Sequence, residues 1–384
     1  MYAPDAADAD AARVDAAREQ LVSTYVTRAD AERKADAKRM TTPNKAGFYS
    51  ILPFISLCAV MREALTQNGL VMLSAFDGIG IATLVVAMVM RLPVRKLIII
   101  EMNQSASEWS QGNLARLKRK TNLDVLYLSD IRDGDHNYGE IVRFLGKDAL
   151  HLYFDASPCN GSSGNNYLTR VLNMMAHHLG KTFADSIALL KRLQYRQHQP
   201  IIVLKEYLAA NSRTPSMTTA QLCTVFELPA LTFDAILWNV APRERSFYSN
   251  LPFAHVKPTV EELAQVRRRT LRDVLEGDAR DCEQPDLIMT VGTSAGSSDS
   301  YVRTGDDDGE RALHARERLA ANGIAPAWSA NNTYTTAVKP QMEGSGQVWA
   351  PDQVAFVLMP LLQAWLFVGG QLMSPEDARE CAGW

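Results

Sequence analysis

The 384-residue chain is 47% hydrophobic and 22% charged with a formal net charge of −3, the profile of an ordinary globular protein. That balance excludes recognition of nucleic acid by bulk positive charge, so any such role has to rest on local chemistry. No apolar run approaches the roughly 18–20 residues of a membrane-spanning helix, so no membrane partner is expected.

The five cysteines (58, 159, 223, 282, 381) are scattered and lack C-x-x-C spacing. They read as free thiols in a reducing, intracellular compartment, and they speak against a zinc site. The beginning of the chain is acidic and alanine-rich, without the basic-then-apolar pattern of a signal peptide.

Residues 1–42 form a charged N-terminal arm with few large apolar side chains. From about Pro43, apolar runs alternate with helical patterns. Strands are expected at Leu70–Phe76, Leu97–Glu101, Asp124–Leu128, Ala149–Asp155, Pro200–Glu206 and Ala235–Val240. A further strand at Ser246–Asn250 would close a hairpin. Spacings of about 25–50 residues suit βαβ units and a mostly parallel sheet with helices on both faces. The catalytic core is thus read as 43–254. Residues 255–344 form a small variable region, helical at 258–276, loop-rich at 292–309, helical again at 310–322 and irregular at 327–346. Residues 345–384 regain apolar periodicity and return to the core. Basic clusters at Arg116–Lys120, at Lys191, Arg192 and Arg196, and at Arg267–Arg269 with Arg272 suit either phosphate contact or solvated helix faces.

Four groups of residues carry chemistry. The first is a strand running into Phe76-Asp77-Gly78-Ile79-Gly80, a turn whose glycines let a ligand approach the backbone. Glu101 ends the second strand, where a carboxylate accepts from ribose hydroxyls, and Asp130 follows the third, in reach of an adenine amino group. Together they point to a nucleoside-type cofactor. The second is Ser157-Pro158-Cys159-Asn160, a turn after the fourth strand that presents a thiol able to act as a nucleophile. The third is Glu206, a carboxyl group at the next strand end that suits protonation of a ring nitrogen. The fourth is Arg243-x-Arg245. Arginines at i and i+2 on a strand share one face and suit gripping a base and a phosphate.

In this order the residues resemble the cytosine C5 DNA methyltransferases, most closely their eukaryotic de novo subfamily. The likeness rests on Phe76-Asp-Gly-Ile, Ser157-Pro-Cys-Asn160, Arg243-x-Arg245, Asn250-Leu-Pro252, and Trp349 with Pro360-Leu361. It covers roughly residues 70–275 and 345–365. It implies a class I S-adenosylmethionine-dependent methyltransferase fold: Rossmann-like α/β, with a mostly parallel seven-stranded sheet and a small irregular target-recognition region. S-adenosylmethionine would be the methyl donor and S-adenosylhomocysteine the product, with no metal. Phe76, Glu101, Met102, Asp130, Ile131 and Trp349 would surround it, with Asp77, Gly78 and Gly80 in the turn.

The resemblance further implies that Cys159 attacks C6 of a flipped-out cytosine in double-stranded DNA while Glu206 holds N3. Arg245 and Arg243 would bind the base or orient the cysteine loop, and Ser157, Pro158 and Asn160 would position the target. The relatives pair through their catalytic domains, so a homo-oligomer or a partner methyltransferase is also implied. Asp155 stands where the family has a small residue, and a carboxylate there would raise the pKa of Cys159. The residues leave open a non-catalytic DNA-binding homologue, and an enzyme acting on tRNA or making a bulkier C5 modification.

Overall fold

The computed structural model describes residues 51–156, 178–208, 219–235, 238–240, 243–252, 269, 273–275, 301–304, 309–313, 315–324 and 349–382. Helix α1 (Phe54–Thr66) precedes strand β1 (Leu70–Ala75). A short helix, α2 (Ile81–Leu84), runs on as a π-helical turn, Val85–Val89. Then come β2 (Val94–Ile100), α3 (Gln104–Thr121), β3 (Asp124–Leu128), α4 (Gly134–Leu145) and β4 (Leu152–Asp155). They are followed by α5 (His178–Arg196), β5 (Ile202–Leu208), α6 (Thr219–Phe226), β6 (Ala230–Asp234) and β7 (Glu244–Ser249).

The seven strands form one sheet in the order β3-β2-β1-β4-β5-β7-β6. The pairs among β1 to β5 are parallel, whereas β7 runs antiparallel to both β5 and β6. Parallel strands need helical crossovers, which place α-helices on both faces and bury the strands on both sides. β1 is accordingly buried at every position. Strand alternation divides the core in two. Met72, Leu97, Phe154, Leu204 and Phe247 pack on one face with α1, α2 and α3. Val71, Ile98, Tyr153, Val203 and Tyr248 pack on the other with α4, α5 and α6.

The chain returns to the first face at its C-terminal end. There α8 (Pro351–Val357) and α9 (Met359–Phe367) bury Val354, Val357, Leu361 and Trp365 in the same core as α1. In chain order α7 (Ala315–Ala321) precedes these helices, and α10 (Pro375–Ala382) is the last described element. Among the described residues no helix is long and apolar enough to cross a membrane.

Three sequence expectations are corrected. The sixth strand is Ala230–Asp234 rather than 235–240. Leu231-Thr232-Phe233 alternates as an edge strand should, whereas beyond it the backbone N–H groups of Trp238 and Asn239 donate to Ala235 O, the pattern of a turn rather than a ladder. The loop-rich reading of 292–309 misses β8 (Tyr301–Thr304), whose aromatic and β-branched residues favour a strand. β8 pairs with β9 (Gly309–Ala312), so the helix expected from 310 starts at 315. The expected helix at 258–276 falls almost wholly outside the described residues.

Candidate active site

All the described chemistry-bearing residues gather at the C-terminal ends of the parallel strands, the edge where open α/β sheets bind ligands. β1 ends in a tight turn that drives Phe76 to φ 57°, Gly78 to 59° and Gly80 to 88°. A bulky residue in the left-handed region is strained and persists only where its surroundings hold it. Here Phe76 N donates to Ile100 O at 2.8 Å and Asn113 Nδ2 donates to Ile79 O at 2.9 Å. Gly80 is required sterically as well, because a Cβ there would lie 2.8 Å from Ser110 Oγ.

Asp77 turns inward from this turn and is 1% exposed. It accepts from the hydroxyls of Ser74 and Ser110. Burial pushes its carboxyl up to about 6, with Glu101 adding to the rise and the two serines opposing it. Glu101 sits just past β2, where its two carboxylate oxygens accept from Gly78 N at 2.9 Å and Asn103 N at 2.8 Å. Burial raises its pKa, and those backbone donors hold the rise back. The structure thus brings Glu101 directly against the glycine turn.

At the end of β3, Asp130 takes a two-pronged contact from Arg132 Nε and Nη2, and this hydrogen bonding holds its carboxyl below the usual range. Arg132 also reaches Met102 Sδ at 3.5 Å. Met102 is 54% exposed beside it, while Ile131 is buried. Trp349 is 1% exposed and packs between Phe154 and Phe247, centroids 6.1 and 6.4 Å away. Its indole N–H has no hydrogen-bond acceptor among the described residues.

The second half of the site lies on β5 and β7. Glu206 and Phe247 are register partners, so Glu206, Arg245 and Arg243 occupy one face of the sheet. Arg245 Nε lies 3.1 Å and Arg243 Nη2 3.4 Å from the same oxygen, Glu206 Oε1. The entry to β7 is fixed from both sides. Asp234 Oδ1 accepts from Arg243 N at 2.6 Å, and Gln353 Nε2 of α8 donates to Arg243 O at 3.1 Å. Asn250 proves to be a strap, since it accepts from Val203 N and donates to Ile201 O.

Ser157, Pro158, Cys159 and Asn160 lie outside the described residues. The strand that leads into them ends in Asp155, whose carboxylate is bound by Lys205 Nζ and by Ser186 Oγ. Asp155, read in the sequence as a carboxylate near Cys159, is half of a buried ion pair. Lys205 and Ser186 escaped the sequence reading. The signal was a lysine inside the apolar run of β5, because a buried charge demands a partner.

The solved structure of the Entamoeba histolytica methyltransferase EhMeth is similar, with a TM-score of 0.56 over 77% of this chain and 98% of that one, at 10% sequence identity. The fold is that of a class I methyltransferase. No family model and no curated protein sequence matches the chain. On this methyltransferase fold, the glycine turn and Glu101 occupy the first half of the sheet, and the Glu206–arginine cluster occupies the second.

Proposed function

We propose that the protein transfers a methyl group from S-adenosylmethionine to C5 of cytosine in double-stranded DNA. The observation that carries this reading is the convergence of Arg243 and Arg245 on Glu206, one strand from the β4 end that leads into Ser157-Pro158-Cys159-Asn160. The turn residues fit the cofactor. Gly78 and Gly80 permit the positive φ angles of the turn, Glu101 offers a carboxylate for ribose hydroxyls, and the exposed Met102 supplies apolar surface, whereas Ile131 and Trp349 lie buried in the core. When bound, S-adenosylmethionine supplies an electrophilic sulfonium methyl.

The chain's own residues do the rest. The Cys159 thiolate adds to C6 of the cytosine, and the C5–C6 π electrons move onto C5, which becomes the nucleophile. Glu206 holds the N3 edge, and the guanidinium of Arg245 keeps that carboxyl group in place. C5 takes the sulfonium methyl as the methyl–sulfur bond breaks, releasing S-adenosylhomocysteine. Loss of the C5 proton to solvent then restores the C5–C6 double bond and expels the Cys159 thiolate. The base has to leave the stack for this chemistry, because C5 and C6 are out of reach in a duplex.

Incorporation of tritiated methyl into mixed-sequence duplex DNA, with Cys159→Ala in parallel, tests the proposal. Label on C5 of cytosine that disappears in the variant supports it. Label that persists in Cys159→Ala removes the covalent mechanism. Label on tRNA but not on DNA reassigns the substrate.

A further inference from the structure

Asp155 closes β4 and Lys205 lies next to it on β5, as register partners across a parallel pair. Both side chains are almost fully buried, at 1% and 3% exposure, and the ammonium contacts Asp155 Oδ2. Ser186 Oγ of α5 donates to the same oxygen at 2.6 Å and lies 3.2 Å from Lys205 Nζ. The rings of Tyr153 and Phe226 stand 5.7 and 5.1 Å from the ammonium. Burial pulls the Lys205 ammonium below the usual lysine range, and Asp155 opposes that fall.

Such a pair is a poor device for stability alone. Desolvating two charges can exceed their attraction, and well-packed apolar residues often replace a buried pair without loss. What an ion pair adds is direction: one carboxylate oxygen fixes a lysine from β5 and a serine from α5 at a single point. That point lies where both strands deliver the chain to the candidate site. Residue 157 begins two positions beyond Asp155, and Glu206 directly follows Lys205. Because strand side chains alternate, the end of β5 is pinned on both faces, by Asp155 and Ser186 on one and by Arg243 and Arg245 on the other.

We propose that Asp155, Lys205 and Ser186 are positioning residues that hold the ends of β4 and β5 in the geometry the reaction needs, an inference that rests on the methyltransferase reading above. The test is the neutral double variant Asp155→Asn/Lys205→Met, which removes both charges together. Each single variant would leave an uncompensated buried charge and is expected to unfold more easily. The double variant is expected to keep its fold and its affinity for S-adenosylhomocysteine within about twofold, yet to lose at least about tenfold in kcat with little change in KM for the cofactor. Amide hydrogen exchange at 154–156 and 205–207 should accelerate by at least about tenfold, without matching acceleration in β1.

Wild-type kcat in a stable double variant, or unchanged exchange at those amides, overturns the proposal. Failure of the wild-type protein to methylate any cytosine acceptor would instead sink the methyltransferase reading. In that case exchange at the two strand ends still decides whether the pair holds them.

Discussion

Glu206 and Arg245 meet diagonally across the antiparallel pair β5 and β7, with Arg245 Nε 3.1 Å from Glu206 Oε1. The register partner of Arg245 is Leu208, so its side chain leans along the strand to reach the carboxylate two positions away. Arg243 Nη2 lies 3.4 Å from the same oxygen. The two guanidiniums fix the position of that carboxylate at the strand end, and their planar donors suit a base edge or a phosphate.

Among the described residues, removing Arg245 should leave Arg243 as the cation on Glu206. We expect Arg245→Ala to lower stability by about 2 kcal/mol, the scale of a hydrogen bond to a charged group. Glu206→Gln should retain the fold while kcat falls by about 100-fold or more, the scale of lost proton-transfer assistance. Urea unfolding and single-turnover methyl transfer measure the two effects. Undiminished turnover in Glu206→Gln would remove that carboxyl group from the chemistry.

Gly80→Ala should damage the cofactor turn. Its φ of 88° costs a side-chain-bearing residue about 1 kcal/mol. The new methyl would also press on Ser110 Oγ, the donor to Asp77. We expect a combined loss of about 2 kcal/mol in stability and a weaker enthalpy signal on titration with S-adenosylhomocysteine. Ser110→Ala in the same background makes room for the methyl and should recover part of the stability.

Local chemistry was legible where it depends on neighbours in the chain. The Phe76–Gly80 turn, Glu101 past β2 and the shared face of Arg243 and Arg245 all follow from strand period and chain order. What depends on register between distant segments was hidden. Asp155 and Lys205 are 50 residues apart, and only the pairing of β4 with β5 reveals that they neutralise each other. The insertion of β7 between β5 and β6 was hidden for the same reason, because a hairpin signal at 230–250 does not say which of its strands joins the sheet. The true sixth strand was missed because the run at 235–240 is more apolar than the edge strand before it. Gln353, which fixes the entry to β7, joins residues 110 positions apart and carries no local signal.

Asp77 should make the fold more stable when neutral. Its pKa is raised to about 6 in the folded protein, chiefly by burial, against an ordinary aspartate value of 3.8. The folded state therefore holds a proton that the unfolded state releases between about pH 4 and 6. Stability from this group is complete below pH 4 and is lost as pH rises through 6, by about 3 kcal/mol. Asp77→Asn removes the titration, so its stability relative to wild type should grow as pH rises from 4 to 7. Equal differences at both ends of that range would show that Asp77 ionises in the fold as it does in water.

His151 works in the opposite direction over nearly the same range. It lies fully buried at the start of β4, where Nδ1 accepts from Val71 N at 2.9 Å and its own backbone N–H donates to Val71 O. Burial drives its pKa down to about 4, with Arg95 adding to the fall and Asp148 opposing it. As pH falls below 6.5 the unfolded chain takes up a proton that the folded one refuses, so stability drops until about pH 4, by about 3 kcal/mol. Asn Oδ1 can take the place of Nδ1 as acceptor, so His151→Asn should keep the β1–β4 bond and remove the titration. Between pH 4.5 and 6.5 the two groups partly cancel in the wild type. His151→Asn should therefore become more stable on acidification relative to wild type, and Asp77→Asn should lose stability more steeply than wild type. Urea midpoints at half-unit pH steps measure both slopes, and parallel slopes in all three proteins would show that neither group titrates as the burial predicts.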